Sequence, residues 1–354
     1  MTERPLAYQN QTVKIEIMNS TDFHESQTPS ELPGDDALEK SDIPLSSDSI
    51  QKPAPLGRPR MLKPLIWLVL TLVSVFFVAA LNFMPLFYWM PPGLGETQFD
   101  EIGWRATVLK NLDQGITYML CSMGILLLHE FGHYIATRIY RIPSTLPYCI
   151  PCPISPVGTF GAVILMDGRK ADRRQIFDVG LAGPIAGLLL AIPIMWHGVS
   201  TLDLSEPAYG PFEIELPILV KWMFEWSHPD VEAPDMIVFS QLTPTFVAGW
   251  FGLVVTGLNM VPMGQLDGGH VTYCLFGKTA HWVARILMVL VIAYQVYMES
   301  LMFILMIVMI MAMGLEHPPT RDDSVKLGLG RWVIGVLSLI IPFLCLAPTI
   351  ISVR

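Results

Sequence analysis

The sequence predicts an all-α polytopic membrane protein with six to seven transmembrane helices and a short membrane-associated β-hairpin after the second of them. Two observations carry that prediction. Of 354 residues, 52% are hydrophobic and only 15% charged, where a soluble domain carries about 25% charged residues. The apolar residues also fall in runs of about 20, long enough to cross a bilayer, separated by short charged stretches. That distribution excludes a soluble single-core enzyme and a disordered chain. Five cysteines without regular spacing give no disulfide framework. A net charge of −9 argues against a nucleic-acid partner.

Residues 1–60 form an acidic tail, with ten acids against six bases and much Ser and Pro. Such a segment buries too little apolar surface to fold alone and is predicted to be mostly disordered, apart from a short alternating stretch at Thr12–Met18. Residues 61–354 make the membrane domain, with its chemistry concentrated in about 115–275. The first apolar run starts only at Leu62, after basic and Pro-rich sequence, so no secretory signal peptide is expected.

The predicted spans are Pro64–Met84, Ile116–Ile139, Phe177–Trp196, Phe239–Met260, His281–Met298, Leu301–Leu315 and Trp332–Ile351. The fifth and sixth are separate spans or one long tilted helix. Lys and Arg cluster before the first span, between the second and third, at the start of the fifth and between the sixth and seventh. With seven spans all these lie on one side, opposite the Gly198–Ser240 loop with its eight acids and single base, Lys221. The expectation is a cytoplasmic N-terminus, an outer C-terminus and residence in a bacterial cytoplasmic (inner) membrane.

The second span reads His129-Glu130-Phe-Gly-His133 within apolar sequence. Ionisable groups at bilayer depth cost at least about 2.5 kcal/mol each on insertion scales, so they signal function. Residues four apart lie on one helix face, one turn above the other. Two imidazoles so placed suit one metal ion, and Glu130, about 100° round the helix, suits a base beside it. A catalytic zinc takes a third protein ligand, for which Asp178, Asp267, His270, His281 and Glu299 are candidates. Asp267 stands out, because Pro262 and Gly264 break the fourth span just before it, near the level of His133.

His129-Glu-Phe-Gly-His133, followed by Asn259-x-x-Pro-x-x-x-Leu-Asp267-Gly-Gly-His270, resembles the site-2 protease family of intramembrane zinc metalloproteases. The segments Pro156–Gly161 and Gly183-Pro-Ile-Ala-Gly187 add to the likeness, which covers about 115–275. The resemblance implies one Zn²⁺ held by His129, His133 and Asp267, and hydrolysis of a peptide bond within or beside the transmembrane helix of a single-span substrate. It further implies a role in regulated intramembrane proteolysis or signal-peptide clearance. The Gly198–Ser240 loop is too short for the PDZ domain of many members, which makes the chain look more like the cyanobacterial and chloroplast subgroup.

Within that reading Glu130 is the general base. Asn259 is a donor to the substrate carbonyl or a helix-packing group. His270 bonds the Asp267 carboxylate from behind the donor set or is a plain cytoplasm-facing histidine. Five prolines between Pro143 and Pro156 forbid a continuous helix, and Thr159–Met166 has strand character. Gly161 and its neighbours are therefore either a strand edge that binds unwound substrate or a hairpin that only shapes the site. Gly183 and Gly187 are expected to let two helices approach closely. Cys149 and Cys152 are incidental thiols. A metal transporter is disfavoured: no internal repeat is visible, and transport needs no Glu130.

Overall fold

In the computed structural model the described residues are 61–83, 103–298 except 206, 209 and 211, and 304–353. The acidic tail, with Thr12–Met18, lies outside them. Among the described residues four helices are long and apolar enough to cross a membrane: Leu62–Ala80, Leu112–Ile139, Arg173–Ser200 and the composite Asp267–Tyr297.

The first is α1, Leu62–Ala80, ending where Asn82 and Phe83 turn left-handed (φ 54° and 61°). The short α2, Gly103–Lys110, leads into α3, Leu112–Ile139, a 28-residue helix about 42 Å long. Then comes the expected hairpin. Strands β1, Tyr148–Pro151, and β2, Thr159–Val163, pair antiparallel with Tyr148 opposite Val163 and a register shift between Cys149 and Pro151. Cys149 and Cys152 are buried free thiols there.

Helix α4, Arg173–Ser200, overruns its predicted span at both ends. Asp172 starts it with a capping box, accepting from the N–H groups of Arg174 and Gln175 while the Gln175 side chain accepts from the Asp172 N–H. It lies between α3 and α6 and is the centre of the bundle. Helix α6, Pro244–Asn259, begins five residues after the predicted start of the fourth span. Phe239–Gln241 is a 3-10 turn, the Thr243 hydroxyl accepts from the Phe246 N–H, and Pro244 takes the first turn, where its missing N–H costs nothing. At 16 residues α6 is about 24 Å long, short of the bilayer core.

Helices α7, Asp267–Phe276, and α8, Ala280–Tyr297, run on through a 3-10 turn at Gly277–Thr279, so the predicted fifth span begins 14 residues earlier in the composite. Of the sixth, Ile304–Met313 forms α9. The seventh is not one helix. It divides into α10, Leu329–Ser338, and α11, Ile341–Cys345, because Pro342 has no N–H to continue the ladder.

Beyond α11 the chain extends into β5, Ile351–Val353, which joins an unforeseen sheet. Its centre is β3, Phe212–Glu215, and its other edge is β4, Met236–Val238, in the order β4-β3-β5, all antiparallel. The amphipathic α5, Ile218–Ser227, follows β3 and packs against α4 and α11. The main core, with Tyr118, Ile125, Met195, Phe246 and Leu253 all but fully buried, sits among α1, α3, α4 and α6. The histidines of α3 therefore face packed protein.

Candidate metal centre

His129 and His133 lie one above the other on α3, with ring centroids 5.0 Å apart and 2% and 6% of each residue exposed. They fit there because α4 presents glycine opposite each ring. A Cβ on Gly183 would fall well inside 3.0 Å of the His133 imidazole, and one on Gly187 would stand 3.0 Å from His129 Nδ1. Gly132 brings the helices together from the other side, its Cα facing the Ala182 carbonyl. The G-x-x-x-G pattern thus serves the close approach expected of it and also makes the space for two imidazoles.

One turn of α4 earlier, the Val179 carbonyl accepts a hydrogen bond from His133 Nδ1 at 2.8 Å. A carbonyl only accepts, so Nδ1 carries the proton and Nε2 keeps a lone pair for a ligand. His129 Nε2 is met by the Asn259 amide at 3.3 Å, while its Nδ1 is buried without a partner.

The third side of the site comes from Asp267, the first residue of α7. Between α6 and α7 the chain reverses at Gly264 (φ 56°), and Gly268 and Gly269 press against the carbonyls of Met260 and Gly264, where no Cβ fits. Asp267 Oδ2 ends 3.2 Å from His129 Nε2 and 3.3 Å from His133 Nε2. Donors bound at about 2.0–2.2 Å to a tetrahedral zinc lie about 3.3 Å from one another, so this set fits that ion. The metal-binding atoms of His129, Glu130 and His133 also lie within 4.8 Å of one another, all three residues being buried. The backbone N–H of Ile164, just beyond β2, faces the Glu130 carboxylate.

The remaining sequence candidates stand elsewhere. His270 Nδ1 lies 2.6 Å from Nε2 of His317, a residue that its loop position gave no reason to single out. Gly161 (φ 100°) is in β2, but its N–H turns back onto the Thr159 hydroxyl at 3.0 Å, so that donor is not offered at the strand edge. Asp178 accepts from Nε and Nη2 along one edge of the Arg331 guanidinium, at 2.8 and 2.9 Å, and from the Tyr140 hydroxyl. His281 faces Glu316 and the His317 carbonyl. Glu299 lies outside the described residues.

Residues 117–294 match the family described as Peptidase family M50. The probable zinc metalloprotease EGY1, chloroplastic, of Arabidopsis thaliana is 27% identical over 238 residues, covering 64% of this chain and 41% of that protein. Its namesake from Oryza sativa subsp. japonica is 32% identical over 164 residues, covering 45% and 28%. The probable zinc metalloprotease EGY3, chloroplastic, of Oryza sativa subsp. indica is 33% identical over 249 residues, covering 60% and 39%. The matches thus span less than half the length of each of these relatives.

Proposed function

The chain belongs to peptidase family M50, and from that premise we propose that it is a zinc endopeptidase cutting a peptide bond within or beside the transmembrane helix of a single-span substrate. The observation that carries the reading is the donor set of His129, His133 and Asp267, with neighbouring nitrogens and oxygen 3.2–3.3 Å apart and Glu130 beside them. Zinc bound to these residues supplies Lewis-acid polarisation of a carbonyl and lowers the pKa of water.

The protein's own groups do the rest. Glu130, buried beside the two histidines, takes a proton from the attacking water as its oxygen bonds to the scissile carbon. It delivers that proton to the amide nitrogen as the C–N bond breaks. His133 keeps the right tautomer through Val179. The Asn259 amide donates to the scissile carbonyl, being freed from His129 Nε2 when that lone pair is engaged.

The architecture supports lateral access by a membrane-embedded substrate. A cavity of about 980 Å³ lies between α8 and α10–α11, walled by Ile286, Leu290, Pro342 and Phe343 and backed by Leu258 and Val261 of the α6 end. Those last two lie on either side of Asn259 in the chain, so an apolar helix resting in the cavity would lie against the chain segment that carries Asn259. We read the chain as crossing the bilayer six to seven times, with α6, α9 and α10–α11 as the shorter passes. Arg331 at the start of α10 pairs with Asp178 near the start of α4, while β5 pairs with β3 beyond the end of α4, which supports a passage between. The apolar helices and the family make this a membrane protein. The curated relatives are named as chloroplastic, so the expectation of a bacterial inner membrane finds no support in them.

The test is cleavage of a model single-span protein by the purified enzyme. Removal of zinc by a strong chelator should abolish cleavage and zinc addition should restore it. Undiminished cleavage by metal-free protein would overturn the proposal. Leu290→Trp, which narrows the cavity, should slow cleavage of the membrane-embedded substrate severalfold and leave a short soluble peptide unaffected. Equal effects on the two substrates would place the docking path elsewhere.

A further inference from the structure

Residues 315–326, between α9 and α10, lie as a strap across the elements that carry the metal centre. The Gly264 N–H donates to the Leu315 carbonyl at 3.1 Å, and the Arg321 N–H donates to the Ala171 carbonyl at 2.9 Å. The Tyr273 hydroxyl donates to Asp323 at 2.8 Å. Near the start of the strap is His317, 7% exposed and stacked on Tyr273 with centroids 4.4 Å apart.

Its bonding pattern has one solution. His317 Nδ1 is 2.5 Å from the Pro318 carbonyl, which only accepts, so Nδ1 carries the proton. Burial pushes His317 down to about 4, so the ring is neutral at pH 7 and Nε2 bears a lone pair. His270 Nδ1, 2.6 Å away, must then be the donor. His270 stands one turn after Asp267 on α7, and its Cβ faces Gly180 of α4. Gly180 follows Val179, whose carbonyl orients His133. The His317–His270 bond therefore presses the turn carrying one donor against the helix that orients another.

We propose that His317 is a positioning residue for the metal centre: by accepting from His270 it seats the first turn of α7 against α4 and so places the Asp267 carboxylate between the two histidines. The proposal rests on the reading of Asp267 as a ligand. His317 lies outside residues 117–294, so the family match does not speak to it.

The experiment measures zinc affinity of the purified full-length protein by competition with a chelating indicator, alongside thermal unfolding of the zinc-free proteins. His317→Leu should weaken zinc binding about tenfold or more. His317→Gln retains an acceptor for His270 and a donor for Pro318, and should stay near wild type. The double variant His270→Leu/His317→Leu should bind no more weakly than the weaker single variant, because both break one bond. If His317→Leu does not yield folded protein, His270→Leu breaks the same bond from the other side. Wild-type affinity in the folded leucine variants, equal weakening by Gln and Leu, or additive losses would each overturn the proposal. Asp267→Asn separates the two levels. If it binds zinc like wild type, the ligand reading falls, and the positioning role with it. If it binds weakly while His317→Leu does not, only the positioning role falls.

Discussion

Glu130→Gln is expected to retain zinc at wild-type stoichiometry and to lose about 10²–10⁴-fold in cleavage rate. Gln has nearly the size of Glu, so the packing between α3 and β2 survives. What it lacks is a basic oxygen to take a proton from water. The three donors around the site, His129, His133 and Asp267, are untouched. The measurement is bound zinc together with single-turnover cleavage of a membrane-embedded substrate. Cleavage equal to wild type would remove Glu130 from its role. Loss of zinc would instead make it a ligand, which its position among the clustered donors leaves geometrically open.

Gly183→Ala is expected to weaken zinc binding about 100-fold or more, the upper end of what misplaced ligand support costs. The new methyl would overlap the His133 imidazole, which is confined between α3 and α4 and tied to Val179. Either the ring leaves its position or the two helices part, and both scatter the donors. Gly187→Ala is the graded comparison. Its Cβ would stand 3.0 Å from His129 Nδ1, so a shift of a few tenths of an ångström relieves it and the loss should be smaller. Gly124→Ala on α3 is the control, since its Cβ meets the Leu190 methyl at an ordinary 3.4 Å. All three changes favour helix by about 0.5–1 kcal/mol, so reduced helicity cannot explain a loss of zinc. Tight binding by Gly183→Ala would show that the ring does not need this space.

What could be read from residues alone was governed by spacing within one helix. His129, Glu130 and His133 share a helix, so a rise and a turn angle predict their arrangement. Asp267 had to be chosen among five candidates, because spacing says nothing about two elements far apart in the chain. The motif resemblance favoured it, and the structure sets its carboxylate beside both rings. Gly183 and Gly187 were legible as a close-packing pattern, yet which helix they meet, and which side chains fill the gap, depends on rotation about α4. His317 was silent because a histidine in a loop carries no periodicity. The long spans were visible in hydropathy, but Pro342 and the 3-10 turn before Pro244 cut two of them where apolar composition alone continues. Strands β3, β4 and β5 have three or four residues each, too short for alternation to show.

The sheet bears on the order in which the molecule can be assembled. Ser352 of β5 bonds to Glu213 of β3 across 139 positions of chain, and His129 meets Asp267 across 138. Each contact closes a very long loop. Such closure adds only slowly to the entropic cost as loops lengthen, but contacts of high sequence separation form late. Helices α3 and α4, consecutive apart from a hairpin, can pair early and offer the two histidines while the aspartate is still distant. A nascent chain stalled before α7 would hold half of a metal centre and an open strand edge at β3. Completion of the donor set therefore reports that the chain has folded through α7, and completion of the sheet that it has folded through β5.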